Sequence, residues 1–266
     1  MFGDALLESI KGGFKNRKTV AEWKRAIEVH AVLLRPKRLK DITTDDVLEV
    51  LKPLWADKNK TARELRGRIE RILDAARVKG LRSGENPARW RGHLSHLLDK
   101  QRRKKKHHAA APYAEVPGIV KALQVNPGTE NLGAEFVILT AVRTSEARLM
   151  RVAEINWEAR QWTIPGVRMK MNVDHIVPLC ERAIAILKAV IPKDAKPGDY
   201  VFAGRRAGRP FGGNAILIAL KAVYPGMTTH GCRSSFRDWA GDETSFPREI
   251  AEMALAHAVG DEVEQA

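Results

Sequence analysis

Nine consecutive residues, Lys100-Gln-Arg-Arg-Lys-Lys-Lys-His-His, rule out one continuous packed body. Like charges at this density repel one another and cost too much to bury, so the run must stay in solvent or lie against an anion. It divides the 266-residue chain into a block of about a hundred residues and a longer one, a length that two domains fill comfortably. The expected organisation is a helical domain over 1–99, a basic linker over 100–112 and a second domain over 113–266. The linker lies on phosphate through Arg102, Arg103, Lys104, Lys105 and Lys106 or, as the plainer alternative, is a solvated loop.

The charge of the whole chain points the same way. Forty-six Lys and Arg face 32 Asp and Glu, a net charge of +14, and the isoelectric point is near 10.0. Such a balance calls for a polyanionic partner, nucleic acid first and an anionic membrane surface as the alternative. Hydrophobic residues at 44% are enough for packed cores. No apolar run reaches the roughly 18 residues of a membrane span, and the acid-bearing start Met1–Gly13 does not have the form of a secretory signal. Cys180 and Cys232 stand far apart, in no metal-ligand or disulfide pattern. The expected compartment is a reducing cytoplasm.

In the first block, Val20–Leu34 has helical apolar spacing. Thr43 and Thr44, followed by Asp45 and Asp46, start a second helix whose stripe is Val47, Leu48, Leu51, Leu54 and Trp55. A third runs from Thr61 to Lys79 with Leu65, Ile69, Ile72, Leu73 and Ala76 inward, Gly80 as its stop, and Arg66, Arg68 and Arg77 outward. Pro87–Leu98 reads as a last short helix opened by its proline. In the second block, Glu115–Leu123 and Gly133–Met150 read as helices, Val152–Trp157, Gln161–Ile164 and His175–Leu179 as strands, then Glu181–Ile191, Asn214–Val223, His230–Glu243 and Pro247–Val259 as helices. The fold class is mainly α with a small antiparallel sheet, α+β.

Five residues carry candidate chemistry. Arg143 follows apolar turns, so its guanidinium must be paired or must meet an anion; Glu146 is the partner at i+3. The two readings combine, with Glu146 holding the guanidinium while its other N–H groups face a phosphate. Lys170 lies between two strands, a place where lysine is ordinarily solvated but where, beside a phosphate, it can protonate a leaving alkoxide. His230 and Arg233 are three residues apart on one helix and suit phosphate chemistry, though His-x-x-Arg is a common pattern. Arg237, one turn on, binds DNA backbone or pairs with an acid such as Asp238. His257, near the end of an apolar helix, is by itself an ordinary core histidine. The glycine-rich stretch from Gly204 has no phosphate-loop ending, no nucleophile elbow occurs, and no metal-ligand spacing is found.

The order of these residues is more specific than any one of them. Ala141-Val-Arg-Thr-Ser-Glu-Ala-Arg resembles the first arginine box of the tyrosine recombinase (phage integrase) family. Trp162-Thr-Ile-Pro, Met169-Lys and His175-Ile-Val-Pro-Leu resemble the lysine hairpin of its phage P4-like integrase subgroup. Thr229-His-Gly-Cys-Arg-Ser-Ser-Phe-Arg-Asp-Trp resembles the second box and Leu255-Ala-His the third. Leu65-Arg-Gly-Arg-Ile-Glu and Glu85-Asn-Pro-Ala-Arg-Trp-Arg-Gly-His-Leu are similar to the core-binding domain. The resemblance covers nearly the whole chain.

It implies metal-free and cofactor-free strand cleavage and rejoining through a 3′-phosphotyrosine, on a double-stranded DNA attachment site held by a homo-tetramer, with room for an accessory DNA-bending factor. It implies that Arg143 and Arg233 bind the non-bridging oxygens, Lys170 is the general acid for the 5′-oxygen, His230 assists proton transfer, His257 hydrogen-bonds the phosphate and Glu146 supports Arg143. It assigns Arg66, Arg68, Arg237 and the linker residues to DNA.

Two departures accompany it. The family's tyrosine follows the third-box histidine by a short distance and is expected beyond Ala266, since Tyr113, Tyr200 and Tyr224 do not match its position. The family's N-terminal arm-binding domain has no room ahead of the first block. A chain without its nucleophile is expected to bind DNA without cleaving it. Two competing readings are a non-catalytic DNA-binding module descended from an integrase and a type IB topoisomerase-like nicking enzyme; a metal-dependent nuclease is more distant.

Overall fold

The computed structural model describes residues 1–14, 17–99 and 109–257. Its contacts separate Met1–Lys105 from Lys106–Ala266. Arg102, Arg103, Lys104, Lys105 and Lys106 lie outside the described residues.

The first unit contains α1 (Phe2–Ile10), α2 (Arg17–Arg25), α3 (Thr44–Trp55) and α4 (Asn59–Val78). α3 begins at a reciprocal cap: Thr43 Oγ1 accepts from the Asp46 N–H at 3.3 Å, and Asp46 accepts from the Thr43 N–H at 2.9 Å. Its apolar stripe, Val47, Leu48, Leu51 and Trp55, joins Ala62, Leu65, Ile69 and Leu73 of α4 in one core. Gly80, with φ +70°, follows the end of α4. Leu7 of α1, a helix the sequence reading did not anticipate, is buried with Trp23 and Ile27.

Two expectations in this unit need correction. The expected helix over Val20–Leu34 is α2 followed by a π turn, Ala26–His30, and a 3-10 turn, Val32–Leu34. The segment Pro87–Leu98 is not an α-helix; only Leu94–His96 forms a 3-10 turn. Asn86 competes for the backbone: its Oδ1 accepts from the Ala88 N–H at 2.9 Å, while its Nδ2 donates to Glu70 O and Asp74 Oδ1. Gly92, with φ +66°, breaks the run again. The apolar side chains Ala88, Leu94 and Leu98 reach the core all the same.

The second unit holds α5 (Val116–Val125), α6 (Thr129–Thr140), α7 (Thr144–Arg148), α8 (Glu181–Val190), α9 (Ala215–Val223), α10 (Thr229–Glu243) and α11 (Arg248–Ala254). Strands β1 (Ile155–Asn156), β2 (Gln161–Ile164) and β3 (His175–Pro178) form an antiparallel sheet in sequence order. The register pairs Ile155 with Trp162, Trp162 with Val177, and Ile164 with His175. The strand expected over Val152–Trp157 is shorter, because Val152–Glu154 is a 3-10 turn. The buried sheet face, Trp162, Ile164 and Val177, shares its core with Phe136 and Phe202, and the Phe136 and Trp162 rings are 5.8 Å apart.

The expected helix over Gly133–Met150 is broken. α6 ends at Thr140, whose hydroxyl donates to Phe136 O at 2.7 Å, and Ala141 takes φ +50°. The chain is extended at Arg143 before α7 starts. Arg143 is therefore the residue ahead of a helix and not part of one.

Candidate active site

The break after α6 creates the site. An ended helix leaves carbonyls with no partner of their own, and Ala141 O is one of them. It accepts from Arg233 Nη1 at 2.5 Å. The α11 terminus supplies two more: Leu255 O accepts from Arg233 Nη2 at 2.5 Å, and Ala256 O from Arg143 Nη2 at 3.4 Å. Two guanidiniums from separate elements thus converge on consecutive carbonyls, where the negative end of the peptide dipoles favours cations. Arg233 is only 4% exposed. Burial, and next the like charge of Arg143, push its pKa down to about 10, so it stays charged at neutral pH. Its Nε has no acceptor among the described residues.

Glu146 orients Arg143 from inside the fold. Its carboxylate is buried and takes Arg143 Nη1 at 2.8 Å and the Arg143 backbone N–H at 2.7 Å. The expected pair therefore forms, as a clamp around a helix start.

His257 reaches Arg233 through Nε2, 3.0 Å from Nη2, and Glu252 through Nδ1 at 2.5 Å. Arginine only donates, so Nε2 accepts and Nδ1 carries the proton. Glu252 also pairs with Arg237 at 2.7 Å, which makes it, and not Asp238, the acid beside Arg237. The hydrogen bond from His257 holds the Glu252 carboxyl below its usual range.

His230 lies exposed in the first turn of α10 while Arg233 is buried. Thr228 caps this helix by accepting from the Gly231 N–H at 2.9 Å. Gly231 is required there, since a Cβ would sit 2.2 Å from Ala109 O. Thr228 and Ser235 donate to Ala109 O and Ala111 O, at 3.0 and 2.5 Å, and fix α10 against the segment that begins this unit.

Lys170 is exposed in the β2–β3 connection. The base of that loop is closed tightly. Asp174 Oδ1 accepts from the Gly166 N–H at 2.6 Å, and a Cβ on Gly166 would meet Asn172 O at 2.7 Å. Arg168 anchors to Glu154 at 2.5 Å, and Glu154 also accepts from Trp162 Nε1 at 3.0 Å. The tip carries Lys170 among exposed Val167, Met171 and Val173.

One neighbour of the site was missed in the sequence. His175, the first residue of β3, hydrogen-bonds the backbone of Ala254 and faces Glu146, Arg143 and Arg233. Burial, above all, lowers its pKa. The available signal was strand alternation: His175 shares a face with buried Val177, an odd place for a polar ring.

The other candidates are engaged inside their own unit. Arg66 donates to Glu70 at 2.6 Å and to Ala88 O at 2.8 Å, and lies over Trp90. Arg68 donates to Glu22 O at 3.1 Å and lies over Trp23. The three tyrosines are also occupied: Tyr113 donates to Glu243 at 2.9 Å, the Tyr200 ring lies under Arg151, and Tyr224 hydrogen-bonds Glu115.

Two family models match the chain: the phage integrase central domain over residues 3–93 and the phage integrase family over residues 113–264. Prophage integrase IntZ of Escherichia coli (strain K12) is 32% identical over 228 residues, covering 85% of this chain and 55% of IntZ. The integrase of Enterobacteria phage P4 is 28% identical over 253 residues, covering 86% of this chain and 55% of that protein. The chain thus spans little more than half the length of these relatives. Among solved structures, a lambda integrase (75–356) dimer bound to a COC′ core site superposes with a TM-score of 0.71 at 18% identity, covering 97% of this chain and 94% of that one. The Tn1549 transposon integrase (aa 82–397) in complex with circular intermediate DNA gives 0.61 at 15% identity, covering 99% and 98%. At these identities the likeness is one of fold.

Proposed function

The chain belongs to the phage integrase family of tyrosine recombinases, and from that premise we propose that it is the DNA-gripping core of a site-specific recombinase acting by metal-free phosphoryl transfer. The observation that carries the proposal is the convergence of Arg143 and Arg233 on the carbonyls of Leu255 and Ala256, with Arg233 Nε left over as a donor. A scissile phosphate between the two guanidiniums has its non-bridging oxygens neutralised as charge develops. A tyrosine hydroxyl attacks phosphorus, forming the 3′-phosphotyrosine, while the bond to the 5′-oxygen breaks. Lys170 gives that oxygen its proton, and His230 takes the proton of the attacking hydroxyl. His257, held by Glu252 through Nδ1, hydrogen-bonds a phosphate oxygen once its Nε2 leaves Arg233 and carries a proton of its own. Glu146 keeps Arg143 aimed.

In this reading the first unit, the linker residues 102–106, Arg66, Arg68 and Arg237 grip the duplex backbone. Arg66, Arg68 and Arg237 do so by exchanging their internal partners for phosphate. The target is a double-stranded attachment site, the working assembly a homo-tetramer on DNA, and the compartment the cytoplasm. Among the described residues no helix is long and apolar enough to cross a membrane. The engagement of Tyr113 with Glu243, Tyr200 with Arg151 and Tyr224 with Glu115 favours a second reading for this stretch of chain, DNA binding without cleavage.

Fluorescence anisotropy tests the binding half of the proposal. In EDTA, the chain is titrated onto a duplex carrying its attachment site and onto a scrambled duplex, from 50 to 200 mM salt. Specific binding that weakens by roughly a hundredfold or more over that range is expected from several phosphate contacts. Binding that needs a divalent metal, or is absent, overturns it.

A further inference from the structure

We propose that His175 is a positioning residue that sets the Lys170 loop and the two arginines in one frame, an inference that rests on the recombinase reading of the site. Three side chains from three elements meet the short backbone stretch 254–256. His175 at the start of β3 takes Ala254, Arg233 of α10 takes Leu255 O, and Arg143 ahead of α7 takes Ala256 O. The Lys170 loop closes on itself at Gly166 and Asp174, immediately before His175 in the chain. Any rotation of that closed loop about its base has to move His175. The ring therefore transmits the position of the arginine site to the loop. Arg168–Glu154 and the β2–β3 ladder tie the loop to its own sheet, and Met169 packs against the core, but none of these contacts reaches the stretch 254–256. Lys170 itself, exposed at the tip, contributes nothing to this registration.

The neutral ring favours the contact in one pH window. Burial first, and then Arg143 and Arg233, oppose a charged ring at His175; Glu146 and the Ala254 backbone favour it, and the balance lowers the folded pKa. The contact is fully present above the ordinary histidine value of 6.5. Below it, an open loop takes up the proton first, so the closed loop loses stability as pH falls towards the lowered folded value.

Hydrogen–deuterium exchange followed by mass spectrometry, on the protein without DNA, tests this. Exchange of residues 166–174 is compared in wild type, His175→Ala, His175→Asn and His175→Gln, corrected for intrinsic rates, from pH 7.5 to 5.5. In His175→Ala the loop is expected to exchange about tenfold faster while α8 is unchanged. One of the two amide variants, which keep a donor, is expected to restore protection and to abolish the pH dependence seen in wild type. If His175→Ala loses protection throughout the second unit, the amide variants decide: restored loop protection in either supports the proposal, and failure in both overturns it. An unchanged loop in His175→Ala, or a wild-type loop insensitive to pH, also overturns it. No DNA enters the measurement, so its failure is distinct from failure of the recombinase reading, which the duplex titration addresses.

Discussion

The arginine cluster and the Lys170 loop are both cationic, and the fold treats them in opposite ways. Arg233 is buried, donates to two carbonyls and meets His257 with its third contact. Arg143 is gripped at its side chain and its backbone by a buried carboxylate. Lys170 has neither burial nor a hydrogen bond among the described residues; only the base of its loop is fixed. Under the proposed mechanism the difference matches what each charge is asked to do. A guanidinium that stabilises a transition state acts best when its position is set in advance. A general acid must approach, give up a proton and withdraw, which a side chain on a short closed loop can do.

Substitutions sharpen this contrast in descending size. Arg233→Ala leaves Ala141 O and Leu255 O without donors and is expected to destabilise the second unit by about 3 kcal/mol in urea unfolding. Arg233→Lys is expected to recover little, because one ammonium cannot span both carbonyls. Glu146→Gln removes the charge opposite Arg143 and is expected to cost about 2 kcal/mol in the same assay. Gly166→Ala forces a Cβ towards Asn172 O; a loss of about 1–2 kcal/mol is expected, with faster proteolysis confined to 166–174. Lys170→Ala is expected to change stability by less than about 0.5 kcal/mol. A large loss in Lys170→Ala, or none in Arg233→Ala, would break the contrast.

The helices whose signals are local were legible. Thr43 with Asp46 announced α3, and the stripe through Leu65, Ile69 and Leu73 announced α4. The sheet was legible as three short strand-like pieces set apart by turn-like or polar stretches, and the pairing of Arg143 with Glu146 followed from spacing. What the sequence hid was decided by backbone. The carbonyls of Ala141, Leu255 and Ala256 carry no side-chain signal, yet they gather the site. The break at Ala141 was masked by apolar residues on both sides of it, and Asn86 overrode the helix expected after Pro87 by bonding across to α4. His175 acts through partners distant in sequence, Glu252 joins nearby His257 to Arg237 of the preceding helix, and Arg66 and Arg68 read as surface charge until their contacts with Trp90 and Trp23 were seen.

The most direct test of the central claim is a covalent trap. A nicked attachment-site duplex that loses its cleaved end is incubated in EDTA with a version of the protein continued past Ala266 through the expected tyrosine, alone and with Arg233→Ala or Lys170→Ala. The account predicts a denaturation-resistant protein–DNA adduct, lost with Arg233→Ala and formed roughly a hundredfold more slowly with Lys170→Ala. Salt-sensitive, site-specific binding with no adduct from any version would contradict it and leave Arg143, Lys170, His230, Arg233 and His257 as residues that bind phosphate without breaking its ester.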